Sequence, residues 1–295
     1  MKLEYRLLNA TGSYPADCHF ILQRWDPGDD EFSCESFVIQ VKDGRIIAVT
    51  GSLGFYKDIW RSPSGTVFVH GGRSVLWSDD PVQGGGGWNE QSYVTGHGIW
   101  GLDDDFVLAY GDSMGRDMFC FHDVRWKQID APGYVMDVHG INPDLLYAAG
   151  SHGIARFNGK SWDRVPSGTG RAFTSIHVVS ENEMYAILDR EQVWKGSVDG
   201  RAPMTEKRGY PALTCIAKWN DKVWVGDSYS GLSVVEENKL KVVKEKLRLQ
   251  SMVAGETLTV THAYGISGTR NGEKFRGFKV DALVNILGSQ KPVWL

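Results

Sequence analysis

The chain has 295 residues, 42% of them hydrophobic and 23% charged, a composition that can bury a sizeable core without disulfide or metal staples. Its 32 Lys and Arg stand against 36 Asp and Glu for a formal net charge of −4, which weighs against a polybasic nucleic-acid or membrane-surface binder. None of the four cysteines, Cys18, Cys34, Cys120 and Cys215, sits at CxxC spacing, so a zinc site is not expected.

The N-terminal stretch MKLEYRLLNATGSYP has no apolar core of the kind a signal peptide carries, and no apolar run approaches the ~18 residues of a membrane span. The expectation is a soluble cytoplasmic protein with reduced thiols, monomeric on its own, with neither nucleic acid nor membrane as partner. Lys2 to Leu8 has strand character and is expected to supply an outer strand to the last repeat.

Beyond it a repeat runs along the chain. Its first anchor is an Ile or Val: Ile59, Ile99, Val138, Ile176 and Ile216, spaced 40, 39, 38 and 40 residues, with Phe20 and Val253 at the extrapolated positions on either side. The second anchor is a glycine closing an apolar run: Gly71, Gly111, Gly150 and Gly226. The third follows a turn: Ile46 after KDGR, Trp88, Trp126 after HDVR, Trp162 after FNGKS, Leu240 after ENK and Phe275 after RNGEK. Asn-Gly and Asp-Gly pairs favour tight hairpins because these residues tolerate positive φ. The fifth unit, VWKGSVDGRAPMTEKRG, lacks the aromatic anchor.

Each unit therefore reads as four short strands. A single four-stranded sheet cannot bury two apolar faces, whereas a closed series of such sheets can, and it leaves only short edges. The prediction is an all-β chain, a seven-bladed β-propeller of four-stranded antiparallel blades. It spans 1–295 as one domain, with blades starting near 17, 57, 97, 136, 174, 214 and 251. A tail over 281–295 is expected to form a short helix, with Trp294 as an anchor.

On these residues the repeat resembles blades of the broad WD40-like and sialidase-type (BNR) propeller superfamily. The Gly-His and Trp-Asp marks of WD40 repeats are missing. The Asp-box is only hinted at by Ser78, Asp80 and Trp88, with the run Gly84 to Gly87 breaking its spacing. The resemblance implies a fold and no activity.

Letters that could carry chemistry lack the context for it. GDSMG at 111–115 matches a nucleophile elbow, but it precedes a strand rather than a helix, and GDSYSG occupies the same phase in another repeat. GGGG at 84–87 has no Lys-Ser/Thr and opens no helix. The carboxylates Asp103 to Asp105 fall at a turn, and His139 and His177 share a phase with Trp60 and Trp100, which marks a packed position. The basic stretch Lys239 to Arg248 reads as a solvated strand and loop. No metal site or cofactor is expected.

Function is expected on the loops joining second to third strands and on those joining successive blades. These hold Tyr56, Arg73, His97, Asp112, Arg116, Tyr134, His152, Arg171, Phe173, Asp189, Arg190, Tyr210, Asp227 and Tyr229, with Arg208 beside Tyr210. Tyr and Arg are the residue types that anchor protein interfaces. The leading expectation is a non-enzymatic propeller that binds another protein. By analogy with compact bacterial propellers, that would be a cytoplasmic immunity or accessory protein neutralising a toxin or effector. The alternatives are a glycoside hydrolase or lyase-like enzyme using Asp112, Asp189 and Asp227 with an arginine cluster, and a scaffold with several partners.

Overall fold

The computed structural model describes residues 3–28, 34–79, 81, 87–111, 117–166, 168–197, 199–289 and 293–294. Among them the strands form seven sheets, each with four antiparallel strands in chain order and one with a fifth, parallel strand added at its edge, the composition of a seven-bladed β-propeller. Blades 1 to 7 span 4–53, 58–92, 98–130, 135–165, 173–203, 213–245 and 249–279. By contact the chain divides into two compact units, 95–249 with blades 3 to 6, and 1–94 with 250–295.

The first blade departs from the expected phase. Phe20 lies in the second strand, Asp17–Trp25, and the first strand is Glu4–Ser13. The N-terminal segment therefore does not complete the last blade. That blade has four strands of its own, Leu249–Ala254, Leu258–His262, Gly265–Thr269 and Arg276–Lys279. Glu4–Ser13 instead pairs with its chain neighbour, from Glu4↔Trp25 to Ser13↔Asp17. Closing a three-residue turn costs far less chain entropy than pairing across the whole sequence. Leu7 is fully buried and Ala10 nearly so, and both pack in a core with Phe20, Phe37 and, from blade 7, Ile266.

The tail does form a helix, Val280–Ser289, and places Leu283 in that same core. Val293–Trp294 then adds in parallel to the fourth strand of blade 1, against Thr50 and Gly51. The anchoring expected of the Trp294 side chain lies outside the described side chains.

The repeat anchors have physical roles. Ile59, Ile99, Val138, Ile176 and Ile216 are all buried on first strands. The recurring glycine ends the second strand where the chain passes another segment. At Gly150 a Cβ would strike the Tyr134 carbonyl oxygen, and Gly111 has φ +85°. The hairpins use left-handed pairs: Asp43-Gly44, Asn220-Asp221, Glu237-Asn238, and Asp123-Val124, where a β-branched residue takes φ 61°.

Within the 95–249 unit, apolar cores fill the spaces between successive blades. Leu108, Met118, Val138 and Leu146 lie between blades 3 and 4. Tyr147, Ile154, Phe173 and Met184 lie between blades 4 and 5, and Ile187, Val193, Leu213 and Val225 between blades 5 and 6. Polar clamps cross the same seams. The buried Asp137 carboxylate of blade 4 accepts from Ser175 Oγ and Ile176 N of blade 5, both at 2.8 Å. Glu183 of blade 5 accepts from Lys218 Nζ of blade 6, 2.9 Å to each oxygen, and from its own neighbour Tyr185.

Candidate functional site on the loops of blades 5 and 6

The site is built around one tight turn. The second strand of blade 5, Glu183–Leu188, reverses into the third, Gln192–Gly196, through Asp189, Arg190 and Glu191. Asp189 (φ 48°) and Arg190 (φ 60°) are both left-handed, a conformation that persists when surrounding bonds over-determine it. They do so here. On one side Asp189 N donates to Ala172 O at 2.8 Å, and Ala172 N donates back to Asp189 Oδ1 at 3.2 Å. On the other, Arg190 O accepts from Ala212 N and Leu213 N, both at 2.9 Å, and Arg190 Nε donates to Leu213 O at 3.2 Å. The turn thus fixes the loop before blade 5 and the loop before blade 6.

A line of charges runs across it. Arg171 pairs with Asp189 and lies 3.6 Å from Glu191 Oε2, and Lys207 Nζ reaches that oxygen at 2.9 Å. The Lys207 hydrogen bond is the main reason the Glu191 carboxyl is held below the usual carboxylate range.

The next turn, between the second and third strands of blade 6, is organised by Asp227, which is 1% exposed. Its Oδ1 accepts from Tyr229 N at 2.6 Å and Ser230 N at 2.7 Å, and its Oδ2 accepts from Ser230 Oγ at 3.2 Å and from Arg208. Burial pushes this carboxyl up. The Ser230 and Tyr229 N–H groups and the Arg208 guanidinium outweigh that and hold it below its ordinary value. Arg208 also donates to Tyr210 Oη and to Ser230 Oγ, and its guanidinium lies 4.5 Å from the Tyr210 ring centroid. Tyr210 meets Tyr229 edge-on with centroids 6.4 Å apart. The result is two exposed tyrosines, Tyr210 at 44% and Tyr229 at 72%, standing on a buried ion pair.

Of the residues singled out from sequence, Arg171, Asp189, Arg190, Tyr210, Asp227 and Tyr229 are joined in this way. His97, Tyr134 and His152 form a second group on blades 3 and 4. The His97 ring lies 5.6 Å from that of Tyr134 and its Nδ1 is 2.7 Å from Gly111 O, while Tyr134 and His152 line a shallow groove with Pro132 and Arg164. Arg73 is exposed on a turn of blade 2.

Two assignments are corrected. Tyr56 is 4% exposed and packs with Ile21, Val38 and Ile59 between blades 1 and 2. Phe173 is fully buried and meets Trp194 edge-on at 5.8 Å. Both sit next to a strand start, where an inward-pointing aromatic reads in sequence like a loop aromatic. Asp112 and Arg116, with most of the GDSMG stretch, lie outside the described residues, as do Asp80 and Gly84 to Gly86. Glu191 and Lys207 were not singled out. Their signal was available, as charged residues in the same two loop classes.

Of the three carboxylates named for the enzyme alternative, the two that are described, Asp189 and Asp227, are engaged within their own loops. Asp189 serves Arg171 and the Ala172 N–H, and Asp227 serves Arg208 and its own turn. Among the described residues no group of three or more His, Cys, Asp or Glu is placed to hold a metal ion. His139 and His177 are packed, as their phase implied. Their rings are 4.4 Å apart, Trp100 lies 5.8 Å from His139, and His139 Nδ1 accepts from Val178 N at 3.1 Å. An Nδ1 that accepts leaves the proton on Nε2, where a metal would bind.

No protein-family model matches the chain, and no curated protein matches it in sequence. Solved structures do match in fold. The WD40 β-propeller domain of Doa1 superposes with a TM-score of 0.65 at 10% identity, covering 89% of this chain and 91% of that one. YCF48 bound to D1 peptide gives 0.61 at 11% identity, with 88% and 92% covered. Virginiamycin B lyase from Staphylococcus aureus, as a catalytically inactive variant with quinupristin, gives 0.61 at 11% identity, with 95% and 89% covered. The fold and these likenesses define a seven-bladed β-propeller. The WD40-like resemblance read from the repeat fits it. At such identities the likeness extends to the fold alone, which these proteins put to different uses.

Proposed function

We propose that this protein is a non-enzymatic binding propeller that holds another protein on the loops of blades 5 and 6. The observation that carries this reading is the exposed pair Tyr210 and Tyr229, held in place by the Arg208–Asp227 ion pair. Large, rigid aromatics lose little conformational freedom on binding, and a charged rim around them confers orientation. Arg171, Arg190, Lys207 and Arg208 are matched by Asp189, Glu191, Glu206 and Asp227, so the rim has no net charge to recruit a polyanion. YCF48, a propeller of the same fold bound to a peptide, supports a protein ligand.

The narrower proposal is that the partner is a toxin or secreted effector, and that this chain neutralises it as a monomeric cytoplasmic immunity or accessory protein. The test is a native pull-down followed by titration of the purified partner. A Tyr210→Ala, Tyr229→Ala double variant is compared with Tyr93→Ala, which removes a still more exposed tyrosine just after blade 2. The expected result is one stoichiometric partner, lost in the double variant and retained by Tyr93→Ala. Equal binding by all three proteins refutes the site. The absence of any partner refutes the binding reading, and a partner without toxic activity refutes the narrower one.

A further inference from the structure

Blade 4 carries a dent that its neighbours fill. Its second, third and fourth strands pair through Ala148, Ala155 and Arg164, which lie in register and so share one face of the sheet. Ala148 packs in the core shared with blade 3, so this face turns toward that blade. The third-strand position that Ala155 takes is Leu76 in blade 2, Phe119 in blade 3 and Trp194 in blade 5. A methyl group in their place leaves the sheet hollow, and Gly150 and Gly153 beside it bring no side chain to fill it. The hollow opens as a shallow groove of about 230 Å³, counting its mouth, over the buried residues Val135, Ala148 and Ile154.

Three polar side chains converge on it: Arg164 from the fourth strand, His152 from the turn between the second and third, and Tyr134 from the loop before the blade. Two of them are held from behind. The His152 ring lies against Gly133, where φ is +123° and where a Cβ would strike the ring. The Tyr134 ring lies 5.6 Å from that of His97, whose Nδ1 is 2.7 Å from Gly111 O. A carbonyl only accepts, so Nδ1 carries the proton and the imidazole is pinned. Arg164 is exposed, and among the described residues no carboxylate lies within ion-pair distance of it. Its strand neighbour Asp163 belongs to the opposite face and accepts from Asn158 Nδ2 at 2.9 Å.

We propose that this groove binds the carboxylate of an acidic side chain, Asp or Glu, presented by a protein partner, an inference that rests on the reading of the chain as a binding propeller. The planar guanidinium of Arg164 matches a carboxylate through two parallel hydrogen bonds, and the phenol and imidazole add neutral ones. One guanidinium balances one negative charge, which favours a carboxylate over a phosphate dianion. The apolar floor receives the methylene stem of the acid. A pocket for a free metabolite closes over most of its ligand, whereas this groove is shallow, so the body of the ligand stays outside and belongs to a larger molecule. The groove is built from the same two loop classes as the Arg171–Asp189 turn of the neighbouring blade 5, and the two sites extend one loop surface.

The experiment follows the Tyr134 and His152 ring signals of the whole protein by carbon–proton NMR during titration with sodium propionate and with neutral propionamide. Saturable shifts with propionate alone are expected. In Arg164→Gln, a surface substitution, the half-saturating concentration rises at least about tenfold, the value of one hydrogen bond to a charged group. Ala155→Leu, which puts the blade 2 side chain into the hollow, blocks binding with Arg164 still in place. Equal shifts with propionamide, or propionate binding unchanged in either variant, overturn the site. Tighter saturation by inorganic phosphate overturns the choice of carboxylate. The source of the carboxylate is read with acetyl-Gly-Gly-Glu-Gly-Gly-amide and its Gln counterpart, of which the Glu peptide should bind at least as tightly as propionate and the Gln peptide not at all. Propionate binding without Glu-peptide binding assigns the groove to a free carboxylate and overturns the protein ligand. These probes need no partner, so failure of the groove and failure of the binding-propeller reading are separate results.

Discussion

Replacing Asp227 tests whether the exposed tyrosines stand on a buried ion pair. Asp227→Ala removes the acceptor for two turn N–H groups, Tyr229 and Ser230, each worth ~1 kcal/mol. It also leaves Arg208, whose side chain is 18% exposed, without its counter-charge. Breaking a fully buried pair from one side costs ~3–5 kcal/mol, and the partial exposure of Arg208 reduces that share. The expected loss is about 3–4 kcal/mol in all. Asp227→Asn keeps an oxygen for the turn and loses only the charge, so about 1–2 kcal/mol is expected, because charge-assisted bonds are roughly twice as strong as neutral ones.

The assay is urea unfolding of both variants, compared at a common slope. The carboxyl is depressed in the folded state, so its contribution is present above the unfolded pKa of about 3.9 and is lost as pH falls through the folded value. The unaltered protein should therefore lose stability in that acid range and Asp227→Ala should lose less. A loss below ~0.5 kcal/mol in Asp227→Ala, or equal losses in the two variants, refutes the ion-pair account.

Acidification above that range should also weaken the fold, through buried histidines. Burial pushes His19 and His177 down to about 4 and His139 well below its ordinary value, while an unfolded histidine titrates near 6.5. Between about 6.5 and 4 the unfolded chain binds protons that the folded chain does not, so stability falls as pH falls. Asp137, pushed up to about 6 by burial, opposes this by holding its proton longer when folded. Three histidines against one aspartate leave about two protons, at most ~2–3 kcal/mol per pH unit, and a flat urea midpoint between pH 7 and 5 contradicts the reasoning. The two classes of aromatic separate cleanly in the same assay. Phe173→Ala should cost ~3–5 kcal/mol as a core cavity, and Tyr229→Ala no more than ~0.5 kcal/mol as a surface change. Similar losses for the two, measured by urea unfolding, would contradict the placement of Phe173 inside and Tyr229 outside.

The repeat was legible because it is written locally. Anchors such as Ile99 and Val138 recur once per blade since each first strand must bury one branched side chain. Asp43-Gly44 and Asn158-Gly159 announce their hairpins through backbone freedom that neighbours in sequence already define. The loop classes followed from the same phase, and with them the six residues that gather on blades 5 and 6. What the sequence could not decide is which side of the chain a residue faces at a strand boundary. Tyr56 and Phe173 carry the letters of an interface and are core, because their direction depends on blades packed against them from elsewhere in the chain. The pairing of Glu4–Ser13 was settled by competition between a near strand and a distant edge. The union of Arg171, Asp189, Glu191 and Lys207 joins residues that no periodicity relates. Local bonding rules determined the blade, and packing between blades alone decided which polar groups meet.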